Sequence, residues 1–250
     1  MKSRMESVGI KFFMGDSVIK IECGKIVEVE LESGETIQTY AVLVSSGRSG
    51  QTGSIGLENV GVTTNSRGHI LVNEHFQTKQ PHIYAAGDVI GNPSLASTAM
   101  AQGRIAVYHA FELKQSVHFP SLLPSGLYTI PECSSAGQSE EQLDEAQIPY
   151  VSGKASYANN ARGQIIGDTE GFLKLLFHQD TKKLLGVHVI GEGATEIVHI
   201  GLTVMVMGGG VDVFIDTCYN YPTISEIYKY ACYDALSKFD KIKKSSKEPS

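Results

Sequence analysis

Residues 83–104, IYAAGDVIGNPSLASTAMAQGR, run from a short apolar stretch through Gly87 and Asp88 into a helix of small residues. A strand feeding a helix in this way delivers Asp88 at the strand's carboxyl end, where open α/β sheets place their ligands. The helix that follows would point free N–H groups and its positive dipole end at the same crevice. Ser94 reads as its N-cap, and Ala96, Ala99, Met100, Gly103, Val107, Ala110 and Phe111 recur at helical spacing. Small residues on that face would let the helix lie close to a sheet or a flat ligand. A carboxylate there can accept hydrogen bonds from sugar or polyol hydroxyls. It can equally just cap a turn, and a Gly-Asp pair alone does not separate the two.

The chain has 250 residues, 42% hydrophobic and 19% charged, with a net charge of −6. That mixture can build a core, and the charge gives no general attraction to nucleic acid or anionic membranes. No apolar run is long enough to span a bilayer. The start, MKSRMESVGIKFFMG, lacks an apolar core and a cleavage site, so no signal peptide is expected and the location reads as cytoplasmic. Cys23, Cys133, Cys218 and Cys232 are scattered without metal or redox spacing and read as reduced thiols. His109, His118, His178, His188 and His199 share no ligand spacing, so no metal site is expected; His199, in an apolar helix, reads as a buried imidazole.

In KIVEVELESGETIQTY, Val27, Val29 and Leu31 alternate with Glu28, Glu30 and Glu32, and Ser33-Gly34 supplies a turn. AVLVSSGRSG (41–50) reads as a buried apolar strand entering a glycine loop. Further short strands follow, with a turn at Asn65–Gly68. FPSLLPSG (119–126) reads as a linker. Beyond it, EGFLKLLFHQDTKKLLGVHVIG is two strands joined at Gln179–Lys183, and GATEIVHIGLTVMVMGGG is an apolar helix stopped by glycines. Its stripe of Ile197, Gly201, Val204 and Met205 reads as a core or dimer face. A last amphipathic helix ends near 239, and 240–250 reads as a disordered tail. The expected fold class is α/β and α+β: a β-rich part carrying the Asp88 crevice, then an α+β unit.

The longer pattern is more specific. Thr78 to Asp88 resembles the second flavin-binding motif of the two-dinucleotide-domain flavoprotein oxidoreductases, the dihydrolipoamide dehydrogenase and glutathione reductase superfamily. VSSGRSGQTGSIGLENVGV (44–62) resembles the segment leading into it, and YTIPECSSAGQSEEQL (128–143) the start of that superfamily's dimerisation domain. Within the superfamily, YAAGDVIGNPSLASTAMAQGRIA, LKLLFHQDTKKLLGVHVIGEGATEIVHIG and GGGVDVFIDTCYNYPTISEIYKYA are most similar to the soluble pyridine nucleotide transhydrogenases. The resemblance implies that residues 1–45 end an NAD(P)-binding domain, 46–118 close an FAD-binding domain, and 122–239 form a dimerisation domain of a homodimer. It implies FAD as cofactor, with NAD(P) as substrates. Asp88, with Gly87, would hold the ribityl chain, and the backbone around Leu95, Ala96 and Ser97 would meet the pyrimidine edge of the flavin. Arg48 would lie near the nicotinamide path; a loop arginine is more often a surface ion pair. Neither dinucleotide G-x-G-x-x-G is present, so the chain resembles the C-terminal portion of such an enzyme and is expected to be inactive alone.

Disulfide reductases of this superfamily carry H-P-[TS]-x-x-E, whose histidine protonates a thiolate. Here the segment is YPTISE, with Tyr221 at the histidine position, Pro222, Thr223 and Glu226. An unperturbed phenol, titrating near ~10, is a poor acid for dithiol chemistry at neutral pH. Hydride transfer between nicotinamides through a flavin needs no such acid. Tyr221 and Glu226 are the candidate catalytic residues; the ordinary alternatives are an interface tyrosine and a capping box, Thr223 with Glu226. A dihydrolipoamide dehydrogenase-like disulfide oxidoreductase and a non-catalytic dimerisation module stay open as alternatives.

Overall fold

Alternation between residues 27 and 39 becomes an antiparallel sheet. In the computed structural model, which describes residues 1–114 and 118–245, helix α1 (Lys2–Ser7) precedes β1 (Val18–Glu22), β2 (Val27–Leu31) and β3 (Thr36–Thr39). The strands lie in that order, with Val29 opposite Ile21 and Ile37. Val29 and Leu31 are buried, whereas Glu28 and Glu30 alternate with them. The Asp16 carboxylate accepts from the Ser33 N–H (3.0 Å) and hydroxyl (2.6 Å), pinning the expected turn.

Residues 41–45 differ from expectation. They form no strand, and Leu43 and Val44 are exposed. A strand is held by its neighbours' hydrogen bonds, and none among the described residues pairs with this run. Residues 63–85 likewise hold only isolated bridges, Thr64 with Ile70 and Gln77 with Tyr84. The Asn65–Gly68 turn forms: Gly68 donates to the Asn65 carbonyl at 3.0 Å.

Helix α2 (Ala96–Ala110) packs through a different face from the one its small residues suggest. Thr98, Gln102, Ile105 and Ala106 are buried, while Met100, Val107 and Phe111 are exposed. Ile105 and Ala106 pack with Phe76, bordered by Val72, Tyr84, Ile90 and Phe119. Leu95, not Ser94, is the N-cap, and no side chain caps this end. The Ser94 hydroxyl is turned back to the Gly91 carbonyl at 3.3 Å, which removes it from the capping position.

The molecule divides into two units, Phe12–Pro120 and Met1–Lys11 with Ser121–Ser250. The second holds β4 (Ser125–Leu127), β5 (Cys133–Gly137), α3 (Glu140–Glu145), β6 (Tyr150–Ser156), α4 (Ala161–Ile166), β7 (Phe172–His178), β8 (Leu184–Ile190), α5 (Ala194–Val206), α6 (Val211–Asp216) and α7 (Ile227–Ser245). Its antiparallel sheet has the order β4-β5-β8-β7-β6, with β7 and β8 joined across the expected Gln179–Lys183 turn. Leu173, Leu175, Phe177, Val187 and Val189 are buried on it, under α5 and α7.

Glycines stop α5 as read: Gly208 takes φ +68°, which a side chain would disfavour. Ile197, Val204 and Met205 pack on the core, the first of the two options for that stripe. His199 is exposed rather than buried, because it lies on the opposite side of α5 from Val198 and Gly201. The Tyr228 hydroxyl of α7 enters the α5 ladder, donating to the Ile197 carbonyl (2.8 Å) and accepting from the Gly201 N–H (3.0 Å). A Cβ on Gly201 would stand 3.0 Å from that hydroxyl. Helix α7 continues to Ser245, beyond the expected end near 239, so 240–245 are helical; 246–250 lie outside the described residues.

Candidate functional site

Asp88 sits in a single 3₁₀ turn, Gly87–Ile90, after an irregular 83–86 segment rather than a full strand. Two features fix that turn. Gly87 adopts φ +80°, and a Cβ there would meet the Ala99 methyl at 3.2 Å. Its N–H donates to Gln102 Oε1 at 2.6 Å. Gln102 is buried, so its side-chain amide ties the turn to α2. This positioning role escaped sequence reading. The sequence carries little signal for it: Gln102 shares the stretch between Thr98 and Ile105 with Arg104, and residue type alone does not tell which is buried.

The turn borders a cleft of about 770 Å³ in the first unit, lined among others by Arg48, Asn65, Arg67, His69, Asp88 and Ser94. The Asp88 carboxylate is half exposed, and its Oδ2 lies 2.7 Å from Arg48 Nη1. Arg48 is therefore the surface ion pair that the sequence allowed. Such an exposed pair contributes only ~0–1 kcal/mol, and Asp88 Oδ1 remains for a hydroxyl ligand. Leu95, Ala96 and Ser97 do not line this cleft. They form the uncapped start of α2, where the N–H groups of Ala96 and Ser97 meet no acceptor among the described residues. A half-exposed carboxylate and uncapped amides next to one turn fit a polyol that carries an acceptor-rich ring.

Tyr221 and Glu226 belong to the second unit. Tyr221 is 72% exposed, and Asn160 Nδ2 donates to the Thr223 carbonyl at 3.0 Å, anchoring the segment behind it. The expected capping box does not form. Thr223 precedes a 3₁₀ turn, Ile224–Glu226, with no side-chain cap, and its hydroxyl donates to the Asn220 carbonyl at 2.7 Å. A 3₁₀ turn tightens the geometry and moves the N3 amide away from the threonine oxygen. A second cleft of about 880 Å³ in this unit is rimmed by Glu132, Asp168, Glu170, Glu192 and Glu196. Glu132 and Asp168 already serve backbone amides there, Gly193 and Thr195 for the first, Gly171 and Glu192 for the second.

Comparison with known proteins places these features. A family model described as pyridine nucleotide-disulphide oxidoreductase matches residues 1–103, and one for the dimerisation domain of the same family matches 123–232. Among curated proteins, soluble pyridine nucleotide transhydrogenase of Enterobacter sp. (strain 638) is 46% identical over 219 residues, 86% of this chain and 47% of that protein. The protein of that name from Mycobacterium bovis (strain BCG / Pasteur 1173P2) is 46% identical over 239 residues, 95% of this chain and 51% of its own. The chain thus spans about half the length of these relatives. Among solved structures, LpdA from Mycobacterium tuberculosis aligns with TM-score 0.79 at 26% identity, over 92% of this chain and 50% of that one. A Cu(II) complex of the HOCl-induced flavoprotein disulfide reductase RclA from Escherichia coli aligns with TM-score 0.82 at 25% identity, over 94% and 54%. With its first unit matched by one model and its sheet-and-helix unit by the other, the chain belongs to the pyridine nucleotide-disulphide oxidoreductase family.

Proposed function

We propose that this chain supplies the Asp88 cleft and the dimerisation domain of an FAD-dependent NAD(P) transhydrogenase, which moves hydride between NADPH and NAD. The observation that carries the reading is 46% identity over 239 residues to a protein of that name. Residues 1–45 would close the NAD(P)-binding domain, 46–118 the FAD-binding domain, and 122–239 would pair two subunits in a homodimer. FAD, when bound, takes a hydride from one nicotinamide and yields it to the other. The chain's own residues bind and orient. Asp88 accepts from ribityl hydroxyls, Gly87 keeps the turn open to them, and the first amides of α2, at Leu95, Ala96 and Ser97, favour negative charge at the pyrimidine edge. Tyr221, exposed on its segment, would help close the flavin pocket of the other subunit in the homodimer, with Glu226 beside it in the same segment. Among the described residues no helix is long and apolar enough to cross a membrane; a cytoplasmic location, without nucleic acid or membrane partners, belongs to the same reading.

The decisive assay uses the protein completed by the portion its relatives have beyond this chain. It should transfer hydride from NADPH to an NAD analogue and leave lipoamide unreduced. Asp88→Asn should raise the FAD dissociation constant by ~10-fold, the scale of one charge-assisted hydrogen bond. Strong lipoamide turnover would instead favour the disulfide reductase reading, which the RclA likeness supports. A soluble dimer without flavin absorbance would favour the non-catalytic module.

A further inference from the structure

We propose that Arg67 and His69 form a phosphate subsite beside Asp88, which takes the phosphate of a phosphorylated polyol, flavin mononucleotide by class, without a dinucleotide glycine loop. The ionisable side chains that line the cleft of about 770 Å³ in the first unit are Arg48, Arg67, His69 and Asp88. Arg48 and Asp88 stand 2.7 Å apart and offset each other's charge. Arg67 and His69 are left over. Among the described residues, neither the Arg67 guanidinium nor the His69 imidazole has a side-chain hydrogen bond or ion-pair partner. An arginine is charged at any ordinary pH and an imidazole always carries at least one N–H donor. A chain with a net charge of −6 thus turns unspent cationic and donor capacity into this cleft, which favours an anion.

The backbone that carries the two side chains is held from three sides. Asn65 Oδ1 accepts from the N–H groups of Arg67 (2.9 Å) and His69 (3.0 Å), which fixes the turn itself. The Gly50 N–H donates to the Arg67 carbonyl at 2.9 Å, and a Cβ on Gly50 would lie 2.2 Å from the Gly68 carbonyl oxygen, so the loop that bears Arg48 crosses in direct contact. The Ile70 N–H donates to the Val89 carbonyl at 2.9 Å, which ties the turn to the residue after Asp88. A Cβ on Gly91 would stand 3.0 Å from His69 Nδ1, so the ring rests against the far end of the Asp88 turn. Donors held in place before a ligand arrives cost little ordering when it binds. A guanidinium matches phosphate oxygens with a planar fork, and a phosphate ester carries about −1.5 to −2 charge at pH 7. The cleft volume lies within the ~300–1,000 Å³ of small-molecule sites. With Asp88 taken from the proposed function as the polyol acceptor, on which the ligand's identity rests, the sugar-alcohol chain starts there and its terminal phosphate falls to Arg67 and His69. The ribose phosphate of nicotinamide mononucleotide shares that chemistry.

The test titrates the 250-residue chain with flavin mononucleotide, riboflavin and nicotinamide mononucleotide, by flavin fluorescence for the first two and equilibrium dialysis for the third. No hydride transfer is measured, so failure of the transhydrogenase reading leaves the result untouched. Riboflavin differs from flavin mononucleotide only by the phosphate. The phosphate ester should bind at least ~10-fold more tightly, the scale of a charge-assisted contact, and added salt should narrow the gap. Arg67→Gln should close most of the gap by weakening flavin mononucleotide alone, and Arg67→Lys should restore part of it; a turn that was merely disrupted would weaken riboflavin equally. Asp88→Asn should weaken both flavins alike. If it weakens neither while the Arg67 dependence persists, the polyol role of Asp88 fails and the phosphate subsite stands. Tighter binding of nicotinamide mononucleotide, with the same Arg67 dependence, keeps the subsite and assigns it to a nicotinamide nucleotide. Equal affinity for the two flavins without such binding, no binding of either phosphate ester, or a preference that survives Arg67→Gln overturns the proposal.

Discussion

Glu132 shows how a single side chain can act far from its own position in sequence. Helix α5 begins after Gly193, which has no side chain to cap it, and the Glu132 carboxylate supplies the acceptor from 61 residues away. It takes the N–H groups of Gly193 and Thr195 at 3.1 Å each, and the Thr195 hydroxyl. Negative charge at that end also suits the helix dipole. Glu132→Ala should cost ~1–3 kcal/mol, the range for orphaning half-buried amides and removing a cap, measured as a lower urea midpoint at unchanged slope. Caps were the least legible feature of this sequence. Ser94 and Thr223 both had the right residue type, yet each hydroxyl bonds a preceding carbonyl instead. The Ser139-x-x-Gln142 pattern, legible in the sequence, does form a capping box on α3. Residue type states what a hydroxyl can bond; the local backbone decides which partner is in reach.

Elements with a complete set of neighbours were read well. The alternation of β2, the β7–β8 hairpin and the glycine stop of α5 each follow from a pattern whose partners lie within the chain. The 41–45 run and the apolar face of α2 carry the pattern of buried surfaces, yet Leu43, Val44, Met100, Val107 and Phe111 are exposed, because an apolar pattern reports the need for a cover and not its presence. Packing between elements sets a further constraint at Gly153 of β6. A Cβ there would lie 2.1 Å from the Ala231 carbonyl oxygen of α7, a backbone atom that cannot step aside. Gly153→Val should therefore push α7 off the sheet and destabilise this unit by ~1–3 kcal/mol or more. Lost near-ultraviolet dichroism from the neighbouring tyrosines would accompany the lower unfolding midpoint.

For the molecule as a whole, the buried ionisable groups of the second unit predict an alkaline limit. Burial pushes the Cys232 thiol from 9.0 up to about 12, and burial raises Tyr219 to about 12 as well. Tyr157 and Tyr228 are shifted upward by the same cause. In the unfolded chain the thiol loses its proton near its ordinary value, whereas the folded unit retains it. The unfolded state then binds fewer protons, so stability is complete below pH 9 and falls as pH rises toward 12, by ~1.4 kcal/mol per pH unit for this one group. Urea titrations of Cys232→Ala between pH 8 and 10.5 should show a shallower decline by that slope, whatever the variant loses at neutral pH. Tyr228 has a second consequence. Its hydroxyl bonds both the Ile197 carbonyl and the Gly201 N–H of α5, and Gly201 leaves room for it. If α7 peels away, α5 loses both bonds; the two melt as a single cooperative block, and the last helix of the chain behaves as part of its centre rather than as a fraying end.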